Sequence, residues 1–331
     1  MTRSFCHSVY TVHLIPSSHG LYLYSAFIFP YVYYSAIKDA ATINVEILVK
    51  YKDSINDILD ILNFKTIVQL IQKIYHNLGG NMITEQYIYE EEIIKASDCY
   101  KKREKTLDIC IITFSYKIFS FAKEMEGSEV VGELFAASGV YEIVKLPVRE
   151  KRVGIFLSPC GAPAAGGFME DVNAVTGAEN FILFGSCGSL DEKKTKGRYI
   201  VVDAAYRDEG LSYHYIPPSD YVSVPSWSVI RDFFEKKQIP FVVGKTWTTD
   251  AFYRETRGSM ERRKEEGCIV VEMEIAGCQA VAERRGWKLY PFLESGDVLD
   301  GEEWNKGNLG GANHENMKLF LALELARMIE S

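Results

Sequence analysis

Two acids set in an apolar run are the first residues of this sequence that raise a chemical question. Glu272 and Glu274 lie among Ile269, Val270, Val271, Met273 and Ile275, ahead of Ala276-Gly277. A buried carboxylate is costly unless it is paired or hydrogen-bonded. An ionised carboxylate only accepts, so its two oxygens suit the two O–H donors of a vicinal diol such as a ribose 2′,3′-diol. A salt bridge to an Arg would satisfy it equally. Further on, Leu293-Glu294-Ser295-Gly296-Asp297 ends an apolar run with an acid. Desolvation would raise the pKa of Asp297 and suit it to general-acid work; a helix or turn cap is the structural alternative. Gly185-Ser186-Cys187-Gly188-Ser189 offers backbone N–H groups that can close on an anion, and Ser186 adds a hydroxyl. An ordinary tight turn would look the same, and no Lys follows at the spacing of a triphosphate-binding loop. Cys187 has no assignable His beside it and reads as a small buried thiol. In Thr248-Thr249-Asp250-Ala251-Phe252-Tyr253 the aromatic pair can stack a planar heterocycle or pack into a core.

Each of these segments follows a short apolar run, as strands buried on both faces do. Strands are expected over Leu107–Phe114, Arg152–Ser158, Phe181–Phe184, Tyr199–Ala204, Phe241–Trp247, Ile269–Val271 and Leu289–Leu293. Between them the pattern predicts helices over Tyr116–Met125, from the Gly161–Gly167 stretch to Val175, and over Trp227–Lys237, Thr256–Glu266, Ala276–Arg285 and Asn313–Ile329. Such alternation predicts an α/β domain with a parallel or mixed sheet. Ligands of these sheets bind beyond the carboxyl ends of the strands, which selects the segments after Phe184, Trp247, Val271 and Leu293.

In this order and spacing, G-S-C-G at 185–188, D-x-F-Y at 250–253, V-E-M-E-x-A-G at 271–277 and the Ser-x-Asp at 295–297 resemble the nucleoside phosphorylase and nucleosidase superfamily. Hexameric purine nucleoside phosphorylases and uridine phosphorylases are the most similar in motif, and the resemblance covers roughly 107–330. It implies a three-layer αβα sandwich around a central mixed, partly barrel-like sheet. It also implies cleavage of a nucleoside N-glycosidic bond, with inorganic phosphate as co-substrate, no cofactor, no metal and a homo-oligomer, dimer or hexamer. Carried over, it has Gly185 and Ser186 contact phosphate and Phe252 stack on the base. Met273 packs under the ribose, Glu274 with Glu272 holds its hydroxyls, and Asp297 protonates the leaving base. Purine-cleaving members usually have this last acid and uridine phosphorylases usually lack it. The family's phosphate arginines have no counterpart: the first strand runs into Thr113-Phe114-Ser115-Tyr116-Lys117, and Leu183 stands two residues before the glycine at 185. Lys117 or Arg207 would have to replace them, or water replaces phosphate as acceptor. A nucleoside-binding protein that has lost catalysis is a further alternative.

Composition narrows the remaining classes. The 331 residues carry 37 basic and 45 acidic side chains, net −8, which argues against a nucleic-acid surface. With 47% hydrophobic residues the chain suits a globular protein. Seven cysteines without C-x-x-C spacing exclude a disulfide framework and point to a reducing cytoplasm. Residues 1–81 differ from the rest, with net +1 against net −9 for 82–331. From Ser4 to Ile37 no Asp, Glu, Lys or Arg occurs, and Gly20–Ile37 is aromatic-rich. It is short for a membrane helix and contains Pro30, and only Arg3 supplies a signal-peptide n-region. The reading we favour begins the native protein at Met82, after Gly79-Gly80-Asn81, so that 82–331 is the catalytic domain. The helical rhythm of 53–78 makes a helical appendage the alternative.

Overall fold

The computed structural model describes residues 11–17, 20–25, 43–46, 87–100 and 104–329. The chain divides into two units, Met1–Glu85 and Gln86–Ser331. In the first, β1 (Thr11–Ser17) pairs antiparallel with β2 (Gly20–Ser25) and with β3 (Ile43–Glu46). The helix expected over 53–78 and the start expected at Met82 lie outside the described residues.

The second unit begins with a single helical turn, α1 (Ala96–Cys99). Then β4 (Ile109–Thr113) leads into α2 (Tyr116–Glu124). A hairpin of β5 (Glu129–Ala136) and β6 (Gly139–Lys145) precedes β7 (Val153–Leu157) and α3 (Ala162–Thr176). Next come β8 (Asn180–Ser189), α4 (Glu192–Thr195), β9 (Tyr199–Asp208), α5 (Ser212–Tyr215) and β10 (Tyr221–Ser223). They are followed by α6 (Trp227–Lys237), β11 (Phe241–Thr249), α7 (Arg257–Glu265), β12 (Cys268–Glu272) and α8 (Ile275–Arg285). The unit closes with β13 (Lys288–Val298), α9 (Leu309–His314) and α10 (Met317–Met328).

The strands run β10-β9-β11-β12-β8-β4-β7-β6-β5, and β13 pairs with both β8 and β9. That double pairing closes β9, β11, β12, β8 and β13 into a five-stranded barrel, from which β4 to β7 extend as an open wing. Pairing is mixed: β4–β7, β4–β8, β11–β9, β11–β12 and β13–β8 are parallel, whereas β12–β8 and β13–β9 are antiparallel. β4 shows why the layers number three. All five of its residues are buried, with Cys110 and Ile112 in one apolar cluster and Ile109 and Ile111 in the other. The first cluster takes α3 through Phe168, Met169 and Val172, and α8 through Ile275, Cys278 and Val281. The second takes α2 through Ile118, α6 through Ile230, Phe233 and Phe234, and α10 through Leu319 and Leu325. This is the three-layer sandwich around a mixed, partly barrel-like sheet.

Three elements depart from the sequence expectation. β8 runs on through Gly185 to Ser189 because β13 stays beside it to Val298, with a register shift between Ser295 and Asp297. Gly188 permits this approach, since a Cβ there would lie 2.5 Å from Leu299 Cδ1. The single C-terminal helix is two, broken at Glu315-Asn316; Met317 and Phe320, expected on its apolar face, are exposed while Lys318 is buried. The β5–β6 hairpin carries a mixed burial pattern that gave no strand signal. Among the described residues no helix is long and apolar enough to cross a membrane, and the six described cysteines are free thiols.

Candidate active site

Around the mouth of the barrel, the ends of β4, β8, β11, β12 and β13 border one cavity of about 310 Å³. Gly185, Ser186, Phe252, Glu272, Met273, Glu274 and Asp297, the residues singled out in the sequence, all line it.

The two glutamates differ in what they have left to offer. Glu272 ends β12, and its Oε2 accepts from the N–H groups of Glu274 and Ile275, both at 2.7 Å. Its Oε1 accepts from Thr246 and Thr248 on β11. Four donors fill this carboxylate, which both caps the start of α8 and ties β12 to β11. Glu274 is as buried, at 8% exposure; its Oε1 accepts from the Gly161 N–H at 2.7 Å, and the Met273 N–H also lies against its carboxylate. Among the described residues no side chain donates to it. Burial, and then the charge of Glu272, push Glu274 up from the ordinary carboxylate range. Burial also pushes Glu272 up, against the pull of its four donors. The pair as a whole therefore holds a proton more readily than two free carboxylates.

Asp297 sits in the irregular stretch of β13 and is 3% exposed. Trp304 Nε1 donates to its Oδ2 at 2.7 Å. Burial raises its pKa and the Trp304 bond opposes the rise. Phe252 opens the 3-10 turn Phe252–Arg254 after β11 and keeps an exposed face. Cys187 is buried, and burial raises its thiol well above the ordinary value, so it is no nucleophile at neutral pH.

A second group lines the same cavity around Ser186, and apart from Ser186 it escaped the sequence reading. Ser115 ends the β4 loop and caps α2, its Oγ accepting from the Ile118 N–H. The same Oγ lies 2.7 Å from His314 Nδ1 on α9. Ser186 donates to Asn313 Oδ1, also on α9. Lys318 on α10 is fully buried and donates to Glu294 Oε2 and to the Ala312 carbonyl. Among the described residues no third acceptor meets it. Desolvation and the charges of Lys117 and Lys318 depress His314. The sequence held one signal for this group, a Lys at the start of the apolar run 319–323. Arg207, by contrast, is structural: it donates to Ser212, Ser219 and the carbonyls of Pro217 and Ile216, and does not line the cavity.

Fold and site together define an α/β protein whose partly closed barrel holds a pocket with buried acids at strand ends facing hydroxyl and ammonium groups brought by β8, the loop after β4 and the two C-terminal helices. A sequence profile of the phosphorylase superfamily matches residues 108–324. The chain belongs to that superfamily. It is 29% identical over 157 residues to a guanosine phosphorylase of Halorubrum lacusprofundi, covering 46% of this chain and 64% of that one. It is 23% identical over 188 residues to a DeoD-type purine nucleoside phosphorylase of Exiguobacterium sp., covering 56% and 76%. A second DeoD-type enzyme, from Vibrio cholerae, is 24% identical over 195 residues, covering 58% and 80%. The chain thus spans just under two thirds of the first relative's length and more of the other two.

Proposed function

We propose that the second unit cleaves the N-glycosidic bond of a purine nucleoside by phosphorolysis, releasing free base and ribose 1-phosphate. One observation carries this reading: a single cavity joins a carboxylate to which no side chain of the described residues donates, a buried acid with a raised pKa, and a hydroxyl and ammonium cluster. The names of the relatives, guanosine and purine nucleoside phosphorylases, agree with it. Inorganic phosphate is the co-substrate, and the reaction needs no cofactor.

Each group has a task. Glu274 accepts from the ribose hydroxyls, held in place by Gly161, while Glu272 fixes the backbone that carries it. Phe252 stacks on the base and Met273 packs under the sugar. Ser115, Ser186, His314 and Lys318 hold phosphate, taking over from the arginines missing in the sequence. A phosphate oxygen attacks C1′, the C1′–N bond breaks, and its electron pair leaves with the base. Asp297 gives its proton to the purine N7. Carboxylates near an oxocarbenium-like centre favour its positive charge.

Because no Arg among the described residues lines the cavity, water in place of phosphate is the competing reading. One experiment separates the two. The protein is incubated with a nucleoside panel, with and without phosphate, and the sugar product is identified by chromatography. Ribose 1-phosphate formed only with phosphate is the expected result; free ribose formed without it establishes a hydrolase. A protein that binds nucleosides saturably and releases no base is a binding protein, and the proposal fails.

A further inference from the structure

A second cavity, of about 520 Å³, shares β13 with the active site. Asp297 borders the first, whereas Glu294, Ser295, Gly296 and Val298 border the second. The turn from α4 into β9 supplies Lys196, Arg198 and Tyr199, and the segment ahead of α9 supplies Asn305 and Asn308.

Lys196 and Arg198 are exposed. Arg198 Nη1 caps α4 by donating to the carbonyls of Lys193 and Lys194, and among the described residues no acceptor meets its Nε or Nη2. Lys196 pairs with Glu192, and an exposed pair of this kind contributes little and yields readily to a better anion. Two cations two residues apart suit a phosphate. Tyr199 and Glu294 are direct partners in the antiparallel β9–β13 ladder, so their side chains stand together on one face. The Tyr199 hydroxyl has no hydrogen bond among the described residues. Burial, and then the charges of Glu294 and Glu315, push it up to about 12, so it keeps its proton at neutral pH. A hydroxyl, a carboxylate and two side-chain amides suit a ligand rich in hydroxyls. Tyr199 is the only aromatic among the described lining residues, and its ring is taken, stacked on Phe234 at 5.5 Å and edge-on to Phe292. No platform is left for a base.

We propose that this cavity binds a phosphorylated sugar, its phosphate on Lys196 and Arg198 and its hydroxyls on Tyr199 and Glu294. Glu294 also accepts from Lys318, which lines the active site. A sugar hydroxyl donating to Glu294 competes with that bond and frees a Lys318 N–H for the phosphate of the active site. Occupancy of the second cavity thus tightens phosphate in the first. This last step rests on the phosphate reading of the Lys318 cluster; the binding itself does not.

The test uses the full chain and ribose 5-phosphate. Calorimetry should show binding that Lys196→Gln and Arg198→Gln each weaken by about ten- to a hundredfold, the range for a charge-assisted hydrogen bond. Glu274→Gln, altered in the active site, should keep it. In the second arm, saturating ribose 5-phosphate should lower the KM for phosphate of wild type several-fold and leave that of Lys196→Gln unchanged. Without the sugar phosphate, Lys196→Gln should match wild type in kcat and KM. If no nucleoside is cleaved, the calorimetry still decides the second cavity, and it is the reading of the first that fails. Wild-type affinity in both Lys196→Gln and Arg198→Gln, or binding lost in Glu274→Gln, overturns the site. A nucleoside 5′-monophosphate binding more than about tenfold tighter overturns the sugar phosphate as its ligand. A wild-type KM that stays or rises overturns the link through Glu294.

Discussion

A buried acid at a site is a liability to the fold and an asset to the chemistry, and Asp297 and Glu274 allow the two to be separated. Asp297 keeps its raised pKa through burial, with Trp304 and a backbone hydrogen bond pulling against it. Asp297→Asn removes the proton donor while leaving an acceptor for Trp304, and should lower kcat for purine nucleosides by roughly 10²–10⁴. Unaltered turnover would remove Asp297 from the mechanism. Glu274 bears on stability. Its pKa in the folded protein lies above the ordinary value near about 4.3 of the unfolded chain. Between those values the folded state binds more protons than the unfolded one, so stability falls as pH rises. The contribution is complete below the unfolded value and lost as pH climbs through the folded one. Glu274→Gln keeps an acceptor for the Gly161 N–H and has no charge to bury. Without ligand, it should melt above wild type at pH 8 and lose that advantage at pH 5, although its ribose recognition is impaired. Parallel melting curves across this range would mean that Glu274 carries no buried charge in the empty site.

The elements that hold these residues were legible where one segment's own pattern decides its fate. The apolar runs of β4, β7 and β12 and the amphipathic α6 stand in the sequence much as they stand in the structure. The extension of β8 through Gly185–Ser189 was hidden because it depends on β13 alongside, a pairing between distant segments. Glu272 and Glu274 were visible from their apolar context. Ser115, His314 and Lys318 were not, since nothing local says that α9 and α10 lie across the end of β4. Gly161 shows the value of such placement. Its φ of 101° and ψ of 140° fall in a region that essentially only glycine occupies, and its N–H orients Glu274 from the start of α3. Gly161→Ala should cost roughly 1–3 kcal/mol and raise KM for the ribonucleoside. Gly286→Ala, at the φ of 72° that ends α8 with open space around it, is the control: it should lower Tm and leave KM alone. If both variants behave alike in KM, Gly161 is only a backbone device.

Everything the proposed reaction uses lies in one unit, and this bears on residues 1–81. Among the described residues, every side chain of the three apolar clusters falls between Tyr100 and Ile329. The family match begins at residue 108, and among the described residues every one that lines the cavity falls between Thr113 and Lys318. Both faces of the sheet are covered by helices of this same unit. The net charge of −9 over 82–331 favours solubility when that segment stands alone. A domain of some 250 residues buries enough apolar surface to fold without help. We therefore propose 82–331 as the catalytic domain and residues 1–81 as dispensable for its chemistry. A chain beginning at Met82 should stay in solution, melt within about 2 °C of the full chain, a shift of less than about 1 kcal/mol at this size, and retain kcat/KM for its best nucleoside. The comparison is made by circular dichroism melts and initial rates at matched protein concentration. Aggregation of the shorter chain, or a melt far below that of the full chain, would make residues 1–81 a structural part of the enzyme. A loss of rate without a loss of stability would instead mean that they act on the active site.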